Sequence, residues 1–313
     1  MHILITGGAG FIGSHLSIRL LQQQHHITII DSLHEYYSVE RKEKQLHQIK
    51  KEGTFTFYQE NLLDFDRVEK IFKRHQFDIV IHLAAVPGVS YSLKDPLLYV
   101  DYDIKATINV LKLAGETNVK HVIFASSSSV YGNKQDQSLS EEMATGRVIS
   151  PYAASKFSAE SFCHVYQDLY QFQLTILRFF TVYGSWGRPD MAIPLFIDRC
   201  LQDEPITVYG RQSSRDYTYI DDIVAGIASV LSLNHQNETF NLGSSQPVSM
   251  DRLLSIIRKH FPEMKIIDKT TRPGDVKETW ANVEKAHKVF NYKPTISIEE
   301  GIERTIQWAK QQL

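Results

Sequence analysis

Through the first half of this 313-residue chain, short apolar runs alternate with amphipathic stretches. The runs are HILIT (2–6), ITIID (27–31), FTFYQ (55–59), DIVIHLA (78–84), HVIFAS (121–126) and LTILRF (174–179). They are mostly β-branched or aromatic and nearly continuous, the mark of strands buried on both faces of a parallel sheet. Between them the pattern predicts helices at about 11–24, 39–51, 64–75, 95–117 and 151–171. Parallel strands with intervening helices make an α/β fold, a doubly wound parallel sheet. After residue 180 the spacing becomes irregular, and a smaller mixed α/β lobe is expected there. RDYTYIDDIVAGIASVL (215–231) reads as a helix returning to the main sheet. The expected division is therefore 1–178 plus about 218–242 for the main layer, and about 179–217 plus 243–313 for the smaller lobe.

Composition narrows the partners. With 34 basic and 36 acidic side chains, the formal net charge is −2. That balance points to neither nucleic acid nor an anionic membrane as partner. No run approaches the roughly 18 apolar residues of a membrane span. The opening MHILITGG reads as a strand entering a glycine loop, and lacks the features of a signal peptide. Cys163 and Cys200 are the only cysteines, without metal-ligand spacing. A reducing cytoplasm fits them, and no metal is expected.

Glycines 7, 8, 10 and 13 in ITGGAGFIGSHL follow a strand and open a helix. This context makes the loop a dinucleotide cradle of the Rossmann type. Gly7 or Gly8 would make the tight turn, Gly10 would admit a pyrophosphate, and Gly13 would let helix and strand pack closely. The N–H groups of the helix start, around Phe11 and Ile12, would face the phosphates. Asp31 ends the second strand eighteen residues beyond Gly13. A carboxylate there accepts bonds from a ribose 2′-hydroxyl and repels a 2′-phosphate, so NAD is expected rather than NADP. Arg41 and Lys42 read as solvated helix charges.

SPYAASKFSAE (150–160) places Tyr152 and Lys156 four apart, hence on one helix face. It follows a strand ending in ASSSSVYG, whose hydroxyls could meet the tyrosine. An unperturbed phenol, with a pKa of about 10, is a poor base at neutral pH. An adjacent ammonium and a positive nicotinamide both favour phenolate. Glycine loop, serine row and Tyr-x-x-x-Lys together resemble the extended short-chain dehydrogenase/reductase (NAD-dependent epimerase/dehydratase) family, over nearly the whole chain. The resemblance implies Tyr152 as acid/base, Lys156 on the nicotinamide ribose, and Ser127 bonded to the reacting hydroxyl. It adds Asn61, Leu62, Leu83, Ala84 and Ala85 to the cofactor side. The helices near 95–117 and 151–171 resemble the pair that forms a four-helix homodimer interface in this family.

Nucleotide-sugar members of the family share a first step, oxidation at C4. Dehydratases and UDP-glucuronate decarboxylases carry carboxylic acids just before the YG pair; here those positions are Ser128 and Ser129. Elimination then has no evident acid or base, whereas epimerisation needs none. RFFTVYGSWGRPDMA (178–192), EYYSVERKEKQL (35–46) and HLAAVPGVSYSLKDP (82–96) resemble the UDP-glucuronate 4-epimerases. The first places Thr181, Tyr183, Arg188 and Asp190 in a loop. By that resemblance, Thr181, Arg188, Ser128 and Ser129 hold the uronate carboxylate, while Pro87 and Gly88 line the sugar pocket. Oxidising C4 of a glucuronate makes a β-keto acid that readily loses CO2, so the carboxylate needs restraint. A bidentate arginine suits it better than a lysine.

ITVYGRQSSRDYTYIDD (206–222) and RPGDVKETWANVEKA (272–286) resemble UDP-binding elements. Arg215 and Arg272 would neutralise the diphosphate, and Val208 and Tyr209 would lie near the uracil. Asp216 and Asp222 read as loop-orienting groups. Arg211 is either a phosphate contact or solvated, and Pro273–Gly274 reads as a turn. Ser90, Asp103, Asn61 and Ser185 depart from the family, which more often has Arg, Asn, Asp and Pro there. The function implied is NAD-dependent C4 epimerisation of a UDP-sugar, UDP-glucuronate to UDP-galacturonate, serving polysaccharide biosynthesis. The competing readings are a UDP-glucose or UDP-N-acetylglucosamine 4-epimerase, a UDP-glucuronate decarboxylase, and a non-catalytic NAD-binding regulator.

Overall fold

The computed structural model describes residues 1–134, 136–233 and 237–312. The expected segments 1–178, about 218–242 and 243–313 thus each include residues outside the described ones. In chain order the strands are β1 His2–Thr6, β2 His26–Ile30, β3 Thr56–Tyr58, β4 Ile79–His82, β5 His121–Ser127, β6 Gln173–Phe179, β7 Thr181–Tyr183, β8 Ile206–Tyr209, β9 Ser214–Tyr219, β10 Glu238–Leu242, β11 Pro247–Ser249 and β12 Ile266–Lys269. Seven of them form one sheet in the order β10-β6-β5-β4-β1-β2-β3. Every pairing in it is parallel. Alternation along the strands explains their near-continuous hydrophobicity. Ile3, Ile5, Ile27, Ile29, Ile79 and Ile81 pack into one core. Leu4, Ile30, Val80, Val122 and Phe124 pack into a second core. Successive side chains point to opposite faces, so both faces of the sheet are buried.

The longer helices on these faces are α1 Phe11–Gln22, α2 Val39–Glu52 and α3 Phe65–Arg74. Two single turns follow, α4 Val89–Ser92 and α5 Pro96–Tyr99, then α6 Ala106–Glu116 and α7 Pro151–Tyr170. The remaining helices are α8 Ala192–Leu201, α9 Ile220–Val230, α10 Met250–His260, α11 Glu284–Phe290 and α12 Ile298–Lys310. Several starts are written in the sequence. Ser38, Asp64 and Ser150 each accept a bond from the backbone N–H three residues on, satisfying a donor the helix leaves orphaned. Strand order reverses between β4 and β1, where Thr6 lies opposite His82. A crevice at the carboxyl ends of such strands is where doubly wound sheets bind ligands.

Three expectations are corrected. The helix expected over 95–117 is interrupted by a π-helical stretch, Val100–Lys105. There the buried Asp103 turns inward, accepting from Val86 N at 2.9 Å and Ser155 Oγ at 2.9 Å. The helix expected over 215–231 begins only at Ile220. The residues before it form β9, parallel to β7 and antiparallel to β11. Thr181 and Tyr183 lie in β7 rather than in a loop. β7, β9 and β11 form one small sheet, and a separate two-stranded sheet joins β8 and β12. Among the described residues no helix is long and apolar enough to cross a membrane.

Candidate active site

A cavity of about 720 Å³ opens at the carboxyl ends of β1 and β4 and runs towards β8 and β9. At its base the glycine loop does what its spacing predicts. Gly7 has φ +72°, its N–H donates to Ile30 O at 2.8 Å, and it, rather than Gly8, makes the tight turn. A Cβ on Gly13 would lie 2.3 Å from Gly7 O, so only glycine lets α1 come this close to the loop. Gly10 caps α1 with no side-chain bond to the first turn, and Gly10, Phe11, Ile12 and Gly13 line the cavity. An uncapped helix start offers free donors and partial positive charge to an anion. Asp31 accepts from Ala9 N at 3.0 Å and Leu33 N at 2.9 Å. Burial pushes its carboxyl up, while the Leu33 N–H and the nearby Lys42 ammonium pull it back. Asn61, Leu62, Leu83, Ala84 and Ala85 line the same end. These residues fit a dinucleotide.

Arg41 and Lys42 are not solvated. Lys42 is buried, with Nζ 2.5 Å from His34 O and 4.7 Å above the Tyr37 ring. Arg41 lies over both the Trp186 and Trp308 rings, at 5.5 and 5.3 Å, and donates to Gly187 O at 2.7 Å. Long stems let these cations pack while their heads find carbonyls and rings, which periodicity on α2 cannot reveal.

The reacting residues come from two elements. α7, started by Ser150 with Pro151 in its first turn, carries Tyr152 and Lys156. Lys156 is buried and donates to Ala125 O at 3.2 Å. β5 delivers the serine row. Ser127 caps a short 3-10 turn: its Oγ accepts from Ser129 N and donates to Ser129 Oγ, both at 3.2 Å. Tyr152, Lys156, Ser127, Ser128 and Ser129 all line the cavity. Ser126 also lines the cavity, but it is buried and donates to Glu160 Oε1 at 2.5 Å. Glu160 is held bidentately by the buried Arg178, at 2.9 and 2.8 Å. Arg178 also reaches Tyr131 OH and Glu141 O. This ion pair pins α7 to β5 and β6 behind the reacting row.

Pro87, Gly88, Thr181 and Arg188 form the next wall. Tyr99 OH donates to the carbonyls of Pro87 and Gly88, and its ring stands 6.0 Å from that of Tyr152. Arg188 is engaged by Asp190, with Nε to Oδ1 at 3.0 Å and Nη2 to Oδ2 at 2.6 Å. Tyr36 OH donates to the same Asp190 at 3.2 Å. Neither Tyr36 nor Asp190 was assigned a ligand role from the sequence, although both lie within stretches it singled out. Only proximity across 154 residues joins them.

At the far end Tyr209, Arg215 and Arg272 line the cavity. Arg272 stacks 3.6 Å above the Tyr209 ring. Arg215 donates to Ser214 O and Lys277 O. Val208 does not reach the cavity with its side chain: it is fully buried in the core, while its neighbours Thr207 and Tyr209 face the space. Strand alternation at β8 decides this. Asp216 accepts from Ser244 N, Ser245 N and Ala281 N, and Asp222 from Thr295 N and Ile296 N, so both organise loops as expected. Arg211 is exposed and paired with Asp251 and Asp268. Gly274, with φ +79°, makes the expected turn.

A doubly wound sheet carrying this loop and this Tyr–Lys helix defines a nucleotide-dependent enzyme class. Residues 3–243 match the NAD dependent epimerase/dehydratase family, and the chain belongs to that family. It is 39% identical to a UDP-glucuronate 4-epimerase of Thermodesulfobacterium geofontis over 316 residues, covering 100% of this chain and 97% of that one. Its fold matches the crystal structure of UDP-glucuronic acid 4-epimerase from Bacillus cereus in complex with UDP-glucuronic acid and NAD. The TM-score is 0.95, the identity 35%, and both chains are covered completely. A UDP-glucose 4-epimerase from Thermotoga maritima with UDP-glucose matches with a TM-score of 0.91 at 28% identity, covering 100% of this chain and 99% of that one.

Proposed function

We infer that this chain is an NAD-dependent UDP-sugar 4-epimerase whose substrate pair is UDP-glucuronate and UDP-galacturonate. The observation that carries this reading is one cavity holding Tyr152, a row of serines without a carboxylic acid, and Arg188. The glycine loop and the start of α1 would hold the pyrophosphate of NAD, Asp31 the adenosine ribose, and Lys156 the nicotinamide ribose. When bound, the nicotinamide supplies a reversible hydride acceptor. Tyr152 takes the proton of the C4 hydroxyl and later returns it, with Ser127 hydrogen-bonding the same oxygen. Arg188, Thr181, Ser128 and Ser129 restrain the carboxylate so that it survives oxidation of its neighbour. Arg215 and Arg272 hold the diphosphate, with Tyr209 beside the base.

Within this reading, 1–178 plus about 218–242 bind the cofactor, and about 179–217 plus 243–313 bind the nucleotide sugar. The enzyme works as a homodimer, in the cytoplasm, for polysaccharide biosynthesis. Exposed Leu97, Val100, Val165 and Leu169 on the 96–116 and 151–170 helices support the dimer. The buried free thiols of Cys163 and Cys200 suit a reducing compartment. The test is NMR of the product formed from UDP-glucuronate. UDP-galacturonate is expected; a UDP-pentose with CO2, or turnover of UDP-glucose alone, contradicts the reading.

A further inference from the structure

We propose that Tyr36 and Asp190 are positioning residues for Arg188, aiming one edge of its guanidinium at the carboxylate of the sugar; this rests on the uronate reading above. A guanidinium presents its N–H donors in a rigid planar fork with two usable edges. Asp190 occupies the Nε–Nη2 edge with both oxygens. Neither bond to Asp190 uses Nη1, and Arg188 lines the cavity. The Nη1–Nη2 edge is therefore the one left for a ligand carboxylate.

Asp190 is itself fixed. Its second oxygen accepts from Tyr36 OH at 3.2 Å, and the Tyr36 ring lies 5.8 Å from the Arg188 guanidinium. Tyr36 reaches this point only because residue 88 is glycine. With φ +107° there, an added Cβ would stand 2.4 Å from the Tyr36 hydroxyl. Burial, reinforced by Asp190, pushes the Tyr36 phenol up to about 12, so it stays a donor at neutral pH. Against the opposing effect of burial, Arg188 holds the Asp190 carboxyl below its ordinary value, so it stays an acceptor. Three segments distant in sequence thus set one guanidinium, and the Asp190 charge offsets that of Arg188. Selectivity would then come from the direction of the free edge more than from net positive charge.

The experiment compares wild type, Tyr36→Phe and Asp190→Asn as NAD-loaded enzymes, with kcat and KM for UDP-glucuronate and for UDP-glucose, and with UDP-glucuronate, UDP-glucose and UDP affinities by calorimetry. An asparagine cannot accept from both nitrogens of the edge. Asp190→Asn is expected to raise the UDP-glucuronate KM and Kd about tenfold, and Tyr36→Phe about threefold. UDP-glucose and UDP should change less than about twofold. Equal losses for both sugars would make the cluster merely structural and overturn the proposal. Tighter UDP-glucuronate binding by Asp190→Asn would make Asp190 a competitor and overturn it too. If wild type binds UDP-glucuronate selectively but does not epimerise it, the functional reading fails while the affinities still decide this one. If wild type shows no uronate preference, the positioning proposal falls.

Discussion

His82, at the end of β4, shows how one buried side chain sets a pH dependence. Its Nδ1 lies 2.6 Å from Thr6 Oγ1 and its Nε2 lies 2.9 Å from Thr107 Oγ1. Thr107 donates its own proton to Asp103 O, so Nε2–H is the donor to Thr107 and Nδ1 accepts from Thr6. The neutral ring satisfies every partner. Burial, helped by Lys156, lowers its pKa from 6.5 to about 3. The unfolded chain therefore takes up a proton near pH 6.5 that the folded chain refuses. Stability from this source is complete above pH 6.5 and is lost as pH falls towards about 3. Each unit of difference is worth about 1.4 kcal/mol. Urea midpoints between pH 8 and 4.5 should fall for wild type and fall less steeply for His82→Asn; parallel curves would contradict this. At this scale the sequence was legible where a residue's role is local. The Gly7 turn, the close approach at Gly13 and the placing of Tyr152 and Lys156 on one helix needed only their spacing. Arg41 and Lys42 were misread as solvated because burial depends on packing partners elsewhere in the chain.

At the scale of elements, the first six strands and most early helices could be read because continuous apolar runs and side-chain caps are local signals. β10 was not distinguished from its surroundings: NETFNLG mixes polar and apolar residues, and its place beside β6 depends on the chain returning to the main sheet after β7, β8 and β9. The π turn at Val100–Lys105 was also illegible, since it follows from the inward bonds of Asp103. α6 and α7 pack side by side, and α7 presents Leu169 at 67% exposure beside Val165 at 51%. Apolar exposure along adjacent helices suits burial against a second copy. Leu169→Glu should shift sedimentation from two chains towards one, with the fold retained by circular dichroism. A wild-type chain that sediments as a monomer would remove the dimer from the account.

Across the whole molecule, one cavity joins the glycine loop near the start of the chain, the Tyr152–Lys156 pair, and Arg188, Arg215 and Arg272 from its second half. Their assembly explains why separate motifs make one reaction. In the proposed function, the carboxyl ends of the parallel strands would hold the cofactor, and the segments after β6 would hold the sugar and its diphosphate. The pairing of Arg188 with Asp190 and Tyr36 emerges only at this scale. The central claim is that hydrogen leaves C4 of a uronate and returns to the opposite face without leaving the site. The most direct measurement follows UDP-glucuronate deuterated at C4 through one conversion by NMR and mass spectrometry. The account predicts UDP-galacturonate with deuterium retained at C4 and no CO2. Loss of deuterium to solvent, or release of CO2, would contradict it.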